Sequence, residues 1–175
     1  MKIYKFKLPL KQSEIDNLKV GDIVQLTGKI YCFRDQVHKR LLDKIHSNEK
    51  LPIDLKNSAI YYVGPSPTMP NQIVGSAGPT TSNRMDFAAP TLYDKGVKIT
   101  IGKGERSEEV VNSIIKNKAL YLVAIGGTGS LLAKSIKSIN VVAYPELLSE
   151  SLKVIEVENF EAIVGINSKG EKFDV

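Results

Sequence analysis

The sequence predicts an α/β fold with a mixed sheet and flanking helices. Two observations support this prediction. Short runs rich in β-branched and aromatic residues alternate with amphipathic helical segments, and glycine and proline gather in the short loops between them. The chain has 175 residues, the size of one compact domain, so we expect a single domain over residues 1–175. Its composition, 42% apolar and 25% charged, supplies enough apolar surface for a core.

Six strands are predicted from apolar runs bounded by turn residues. The run at 119–125 is apolar without alternation, which is typical of a strand buried on both faces. The first run is interrupted at Gly28, and residues 167–170 have the chemistry of a hairpin turn. The predicted strands are residues 23–33, 59–63, 97–101, 119–125, 141–143 and 162–166.

Four helices are predicted from capping residues and apolar stripes. In the second helix, Val37, Leu41 and Ile45 recur every fourth residue and form one buried face. Ser13 and Ser107 are predicted N-caps, because each hydroxyl residue is followed by acidic residues that suit the positive end of a helix. The predicted helices are residues 13–18, residues 34–48, the segment after Ser107, and residues 131–137.

The charge balance indicates an anionic partner. Lys and Arg number 24, and Asp and Glu number 19, so the formal net charge is +5. This charge fits either a nucleic acid or a small anionic substrate. The lysines are spread through the chain rather than grouped in a stripe with aromatic residues, and this argues against a nucleic-acid partner.

The cysteine count and the hydropathy pattern exclude further classes. Cys32 is the single cysteine, so this chain alone builds neither a disulfide nor a multi-cysteine metal site, and its histidines lack metal-ligand spacing. The longest apolar run is far shorter than the ~20 residues of a membrane span. The N-terminal residues alternate charged and apolar side chains, which does not match a signal peptide. We expect a cytoplasmic protein with no membrane partner.

A segment rich in glycine and hydroxyl residues at 75–86 is the first candidate site. It contains Gly78, Thr80, Thr81 and Arg84. Exposed amides and hydroxyls form a cradle for an anion, and arginine can bind a carboxylate through two parallel hydrogen bonds. The same composition also fits a polar surface loop.

The predicted passage from strand to helix at 34–38 is the second candidate site. Arg34 and His38 are four residues apart, so they share one helix face and could lie over a ligand. The alternative is a solvated helix start with a surface pair between Asp35 and Lys39. Histidine at such a position is either structural or a proton carrier near neutral pH.

Two further glycine-rich turns follow predicted strands. Lys103 lies between two glycines just before a helix N-terminus, which suits an anion but also fits a plain strand-to-helix turn. The turn at 126–130 is similar to the first turn of a dinucleotide site, but Leu132 stands where that pattern requires glycine. We therefore interpret residues 126–130 as a tight packing turn.

Taken together, these segments resemble the β subunit, or C-terminal domain, of class I (iron–sulfur) fumarate hydratases and L(+)-tartrate dehydratases. The resemblance runs nearly end to end. Its most specific strings are Arg-Asp-x-x-His-Lys-Arg-Leu at 34–41, Gly-Pro-Thr-Thr at 78–81 with Arg-Met-Asp at 84–86, and Ile-Gly-Lys-Gly at 101–104.

The resemblance implies a swivelling β/β/α domain and half of a hydro-lyase. The implied reaction is the reversible hydration of an unsaturated dicarboxylate, fumarate to L-malate. The implied partner is an α subunit, in an α2β2 assembly, that holds a [4Fe–4S] cluster through three cysteines. The open iron of that cluster would bind substrate as a Lewis acid. With Cys32 as its single cysteine, this chain is then expected to bind no metal itself.

The resemblance also assigns roles to residues. Arg34, Arg84 and Lys103 match the cations that bind the substrate carboxylates, with Gly78 and Thr81 beside them. Thr80 matches the threonine that acts as the base at C3, assisted by an aspartate of the other subunit. Asp35 and His38 are expected either to orient Arg34 or to pass protons.

Three alternatives remain open from the sequence. The natural substrate is either fumarate or tartrate, because both reactions use the same cations. A binding module that senses a dicarboxylate without catalysis is the second alternative. Nucleic-acid binding driven by the net charge is the third, and it has no motif in support.

Overall fold

The computed structural model of the chain describes residues 2–65, 73, 77–125 and 132–174. The predicted packing turn at 126–130 and the first residues of the predicted anion cradle, 75 and 76, lie outside this range. No helix among the described residues has both the length and the apolar character needed to cross a bilayer.

Strands and helices alternate along the described part of the chain. The strands are β1 (Ile3–Lys7), β2 (Ile23–Cys32), β3 (Ala59–Tyr61), β4 (Ile99–Gly102), β5 (Leu120–Ala124), β6 (Ile136–Ala143) and β7 (Leu152–Ile166). The α-helices are α1 (Gln12–Asp16), α2 (Asp35–His46), α3 (Ala89–Asp94) and α4 (Glu108–Asn117). Two 3-10 helices, Ser82–Met85 and Pro145–Glu150, complete the set.

The seven described strands form one mixed sheet that closes on itself. Strands β1 to β5 pair in parallel with their neighbours, whereas β7 runs antiparallel to β2, β5 and β6. The pairings pass from β2 through β3, β4, β5 and β7 and return to β2, which leaves β1 and β6 at the margins. The predicted α/β fold with a mixed sheet and flanking helices is confirmed.

Alternate residues of the strands belong to two separate cores. Tyr61 and Ile101 pack with residues from all five strands of the closed circuit, so they fill its interior. Ile60, Tyr62 and Tyr121 point to the opposite face and pack against α2, α3 and α4. This alternation follows from the two-residue period of a strand, and it explains why β3 and β4 are buried on both faces.

Several predicted elements are confirmed with small changes in their bounds. Ser107 caps α4, because its hydroxyl accepts a hydrogen bond from the Val110 amide at 3.3 Å. The interruption predicted at Gly28 is a β-bulge, where Gly28 has a φ of 137°. Residues 167–170 form the predicted turn, which the Gly170 amide closes by donating to the Asn167 carbonyl at 3.0 Å.

Two sequence predictions are wrong. Ser13 lies inside α1, whose N-cap is Lys11, because the Glu14 carboxylate reaches back and accepts from the Lys11 amide at 2.8 Å. The helix predicted at 131–137 does not hold for its last two residues, which begin β6. Ile136 pairs there with Val157 of β7, so strand pairing overrides the local helical pattern.

Candidate active site

The predicted cations follow the carboxyl ends of neighbouring parallel strands. Arg34 follows β2, Gly64 follows β3, and Lys103 follows β4. The pairing β2–β3–β4 is parallel throughout, so these ends meet at one edge of the sheet. In α/β folds this edge is where ligands bind.

Arg34 packs directly on the backbone of Gly64. A side-chain carbon at Gly64 would lie 2.9 Å from Arg34 Cζ and 3.0 Å from Nε, so glycine leaves the space that the guanidinium occupies. Arg34 Nε is buried and lies 3.7 Å from a carboxylate oxygen of Glu150, beyond hydrogen-bond distance. The guanidinium therefore packs beside the end of β3 and faces the carboxylate of Glu150, a residue of the same chain.

Arg84 reaches across from its 3-10 helix to the first turn of α2. Its Nη2 donates to the Asp35 carboxylate at 2.7 Å. The Arg84 side chain is 51% exposed and that of Asp35 is 21% exposed. The pair thus connects two predicted site segments while one side of the guanidinium stays open to a ligand.

His38 is buried in the interior, where it contacts the Arg34 backbone. Its side chain is fully buried against the rings of Phe33 and Tyr62, with ring centroids 4.7 and 5.4 Å away. Burial lowers the pKa of His38 to about 4, so the ring is neutral at neutral pH. The neutral ring donates from Nδ1 to the Arg34 carbonyl at 2.6 Å. Of its two expected roles, this geometry favours orienting Arg34.

The threonine segment lies alongside the ends of β3 and β4. The Thr80 amide donates to the Tyr62 carbonyl at 2.7 Å, and Thr81 forms a bridge with Lys103. Thr80, Thr81 and the preceding Gly78 are all partly exposed, and Lys103 is exposed. The structure therefore brings Thr80 and Lys103 onto adjacent backbone segments.

Close packing at Gly102 sets the spacing of these segments. A side-chain carbon at Gly102 would overlap the Ser82 hydroxyl and lie 2.9 Å from the Tyr62 ring. The Ser82 amide in turn donates to the Lys103 carbonyl at 2.9 Å. The first glycine of the Gly-Lys-Gly string is thus needed for a close approach of two loops.

Sequence reasoning missed a buried arginine behind the site. The Arg106 side chain is fully buried, and its Nε donates to the Asp86 carboxylate at 2.8 Å. Asp86 belongs to the Arg-Met-Asp string, but a single arginine in a strand-to-helix turn carries no sequence signal of burial. Position after a glycine turn and before a helix cap is the one feature that could have drawn attention to it.

No group of three or more His, Cys, Asp or Glu side chains that could hold a metal occurs among the described residues. Cys32 is buried in the core, and burial raises the pKa of its thiol. A single buried thiol does not fit the three cysteine ligands of a [4Fe–4S] cluster. The donor groups in the described part of the chain therefore do not fit such a cluster.

A cavity with a volume of about 520 Å³ lies beside Lys103. Tyr121, Gly165 and Phe173 are among its walls, but Arg34, Thr80 and Arg84 are not. We therefore place the candidate site at the strand ends, where the functional groups converge, rather than in this cavity.

Comparisons with known proteins agree with the resemblance seen in the sequence. The family profile described as "Fumarase C-terminus" matches residues 2–174. The chain is 38% identical over 169 residues to "Fumarate hydratase class I, anaerobic" of Escherichia coli, covering 94% of this chain and 31% of that protein. It is 40% identical over 167 residues to "Putative L(+)-tartrate dehydratase subunit beta" of Methanocaldococcus jannaschii, covering 92% of this chain and 86% of that protein.

A third relative is "Fumarate hydratase 2" of Leishmania major, 38% identical over 161 residues, with 91% of this chain and 28% of that protein covered. The chain thus spans about a third of the length of the fumarate hydratases that it matches, and most of the length of the tartrate dehydratase subunit. The predicted resemblance is confirmed: the chain belongs to the fumarase C-terminal domain family.

Proposed function

We propose that the chain is the β subunit of an iron–sulfur hydro-lyase that reversibly hydrates fumarate to L-malate, a reaction of the tricarboxylic acid cycle. The observation that carries the proposal is the convergence of Arg34, Arg84 with Asp35, Thr80 and Lys103 on one edge of parallel strands. Similarity to class I fumarate hydratases over 94% of the chain supports it.

The three cations fit the electrostatics of a dicarboxylate reaction. A dianion has to be desolvated and fixed at both ends, and negative charge grows on one carboxylate as the C3 proton leaves. Arg34, Arg84 and Lys103 are the side chains that we assign to these carboxylates, with Gly78 and Thr81 lining the same segment. Fixed cations stabilise a transition state most strongly where charge develops.

Thr80 is the residue that we assign to proton transfer at C3. A free threonine hydroxyl is a weak base, so the role requires activation by a group of the partner subunit. Asp35 and His38 are positioning residues in this proposal. The Asp35 carboxylate accepts a hydrogen bond from Arg84, and His38 Nδ1 donates a hydrogen bond to the Arg34 carbonyl.

The metal chemistry is assigned to an α subunit. The single buried thiol of Cys32 does not fit a cluster, so the [4Fe–4S] group and its three cysteines would belong to that partner. In this proposal the chain acts as one domain over residues 1–175, in a cytoplasmic α2β2 enzyme, and it is active only with the α subunit.

Anaerobic co-expression with a candidate α subunit that carries three cysteines tests the proposal. The purified pair is expected to hydrate fumarate and dehydrate L-malate, and the chain alone is expected to do neither. Hydration of fumarate by the iron-free chain alone would contradict the two-subunit assignment. If the chain binds a dicarboxylate but no pairing with an α subunit gives turnover, the chain is a dicarboxylate-binding module and not an enzyme subunit.

An L(+)-tartrate dehydratase β subunit is the second candidate. The observation in its favour is the 40% identity to the Methanocaldococcus jannaschii protein, which this chain matches over 86% of its length. Both reactions would use the same three cations. Assay of the assembled enzyme against fumarate, L-malate and both tartrate isomers distinguishes them by the ratio of kcat/KM values.

A further inference from the structure

A buried ion pair joins the loop that carries Arg84 to the loop that carries Lys103. Asp86 ends the 3-10 helix of Arg84, and Arg106 lies three residues after Lys103. One Asp86 oxygen accepts from Arg106 Nε at 2.8 Å, and the other accepts from the Ser107 amide at 2.8 Å. Both oxygens of this carboxylate therefore bind the second loop.

The Arg106 guanidinium is fixed on every side. Its Nη1 donates to the Thr100 hydroxyl at 3.0 Å, and its Nη2 donates to the Tyr62 hydroxyl at 3.1 Å. Its Cζ lies 5.2 Å from the ring centroid of Tyr62 and 4.8 Å from that of Tyr121. A planar guanidinium held in this way has a single orientation. Because Arg106 is fixed against residues of the sheet, its ion pair also fixes the position of Asp86 relative to the sheet.

A second connection joins the same two loops. The Tyr121 hydroxyl lies 2.8 Å from the Ser82 hydroxyl and 2.8 Å from the Gly104 carbonyl. Ser82 begins the 3-10 helix of Arg84, and Gly104 follows Lys103. The two loops are thus held together at both ends of the short helix that presents Arg84.

We propose that Asp86 and Arg106 are positioning residues that fix the separation between Arg84 and Lys103 and thereby select the length of the dicarboxylate. This inference rests on the proposed function, because it assigns both cations to the same substrate. Neither Asp86 nor Arg106 needs to touch the substrate. They act by holding the loop of Arg84 and the loop of Lys103 at a fixed separation.

Asp86→Glu in the assembled enzyme tests this spacing, because it keeps the charge and adds one methylene between the loops. We expect kcat/KM for fumarate to fall by about 10- to 100-fold, since small displacements of binding groups have effects of this size. The inhibition constants of succinate, which has four carbons, and glutarate, which has five, are expected to become more similar, because the variant discriminates less by length. Wild-type kcat/KM with an unchanged ratio of the two constants would overturn the proposal.

Tyr93→Phe is the matched control. Tyr93 is buried in the same network, where its hydroxyl lies 2.6 Å from the Thr100 hydroxyl and 2.9 Å from the Leu120 carbonyl, and neither of these partners belongs to the two loops. We expect it to lower the melting temperature and to leave kcat/KM and the inhibitor ratio unchanged. If Asp86→Glu does not fold, Tyr121→Phe removes the second connection and is expected to shift the ratio in the same direction.

A double-mutant comparison separates positioning from general damage. If Asp86 acts through Arg84, then Asp86→Glu has no further effect on kcat/KM in an Arg84→Ala background. In an Arg40→Ala background its effect is expected to add in full, because Arg40 pairs with Glu146 and is not one of the proposed substrate cations. Full additivity in the Arg84→Ala background would contradict the proposed path of action.

Hydrogen exchange of the full chain on its own distinguishes failure of this proposal from failure of the proposed function. Asp86→Glu is expected to increase amide exchange in both loops, residues 82–86 and 103–107, and Tyr93→Phe is not. Increased exchange in both loops, with no hydratase activity under any pairing, would support the positioning pair and overturn the proposed function. Unchanged exchange would overturn the positioning pair alone.

Discussion

Arg84 donates to the Asp35 carboxylate at 2.7 Å, and this bond joins the 3-10 helix Ser82–Met85 to the first turn of α2. Asp35 directly follows Arg34, so two of the three proposed substrate cations are linked through one carboxylate. Because the Arg84 side chain is half exposed, the pair contributes little to folding, about 0–1 kcal/mol for pairs of this kind. The larger effect of the Arg84–Asp35 pair is to orient the Arg84 guanidinium for the proposed substrate carboxylate.

Arg84→Ala is expected to lower kcat/KM for fumarate by about 10²- to 10³-fold, the cost of removing one group that stabilises developing charge. The fold should remain intact, because the lost ion pair is largely exposed. Steady-state kinetics and thermal unfolding of the assembled enzyme measure the two effects. Arg40→Ala is the control, since Arg40 of α2 forms an exposed ion pair with Glu146 of the 3-10 helix Pro145–Glu150. An unchanged kcat/KM would remove Arg84 from the site.

Gly64→Ala is expected to disturb Arg34 without disturbing the fold. The new carbon would lie 2.9 Å from Arg34 Cζ, the end of a flexible side chain that can move away. We expect KM to rise about tenfold as the guanidinium is displaced, with a loss of unfolding free energy below about 1 kcal/mol. Gly102→Ala is the contrasting variant, because its new carbon would meet the Tyr62 ring and should destabilise the fold. Wild-type KM in Gly64→Ala would show that substrate binding by Arg34 does not depend on the space that Gly64 leaves for its guanidinium.

Glu150→Gln is expected to lower KM for the dicarboxylate. The Glu150 carboxylate lies 3.7 Å from Arg34 Nε, so it would compete with an anionic ligand for this guanidinium. A partly exposed pair of this kind contributes little free energy, and we expect KM to fall about two- to fivefold. Glu146→Gln, in the same 3-10 helix, should leave KM unchanged. A raised KM in Glu150→Gln would mean that Glu150 orients Arg34 instead of competing for it.

The sequence predicts the sheet, and the edge of the sheet at which the candidate site lies, because both depend on local signals. Strands β3, β4 and β5 are short apolar runs bounded by glycine turns, and Arg34 and Lys103 directly follow strands in the chain. Parallel strands bring their carboxyl ends together, so the order of the elements already places these cations at one edge.

The remaining features depend on contacts between distant residues. Asp86 and Arg106 are 20 residues apart, and neither has a local pattern that predicts a buried pair. The start of β6 has a helical spacing of apolar residues, and only its pairing with β7 makes it a strand. His38 is predicted at the site from its position on α2, but its burial depends on Phe33, Tyr62 and Phe87, which come from three different segments.

Cys32 is expected to be inert in the native chain. It is buried in the core, and burial raises the pKa of its thiol, so the reactive thiolate is suppressed. A thiol reagent should label no cysteine in the native protein and one per chain after unfolding in guanidinium. Cys32→Ala should leave the iron content of the assembled enzyme unchanged. Loss of iron in that variant would place a cluster ligand on this chain and contradict the assignment of the cluster to its partner.

His38 is expected to make the stability of the chain depend on pH. Its pKa is about 4 in the folded chain, against about 6.5 in the unfolded chain, because burial disfavours the charged ring. Between these values the unfolded chain binds more protons, so the stabilisation is complete above pH 6.5 and is lost as the pH falls toward 4. The full change is about 3 kcal/mol of unfolding free energy.

Denaturant unfolding between pH 4 and pH 7 measures this dependence. His38→Gln replaces the ring by an amide that does not titrate, so the slope of unfolding free energy against pH should fall by about one proton in this window. His46→Gln is the matched control, because His46 is the other histidine of the chain and lies exposed at the end of α2. A wild-type slope in His38→Gln would show that the ring takes up its proton at the same pH in the folded and unfolded chains, and it would return proton transfer to the roles open to His38.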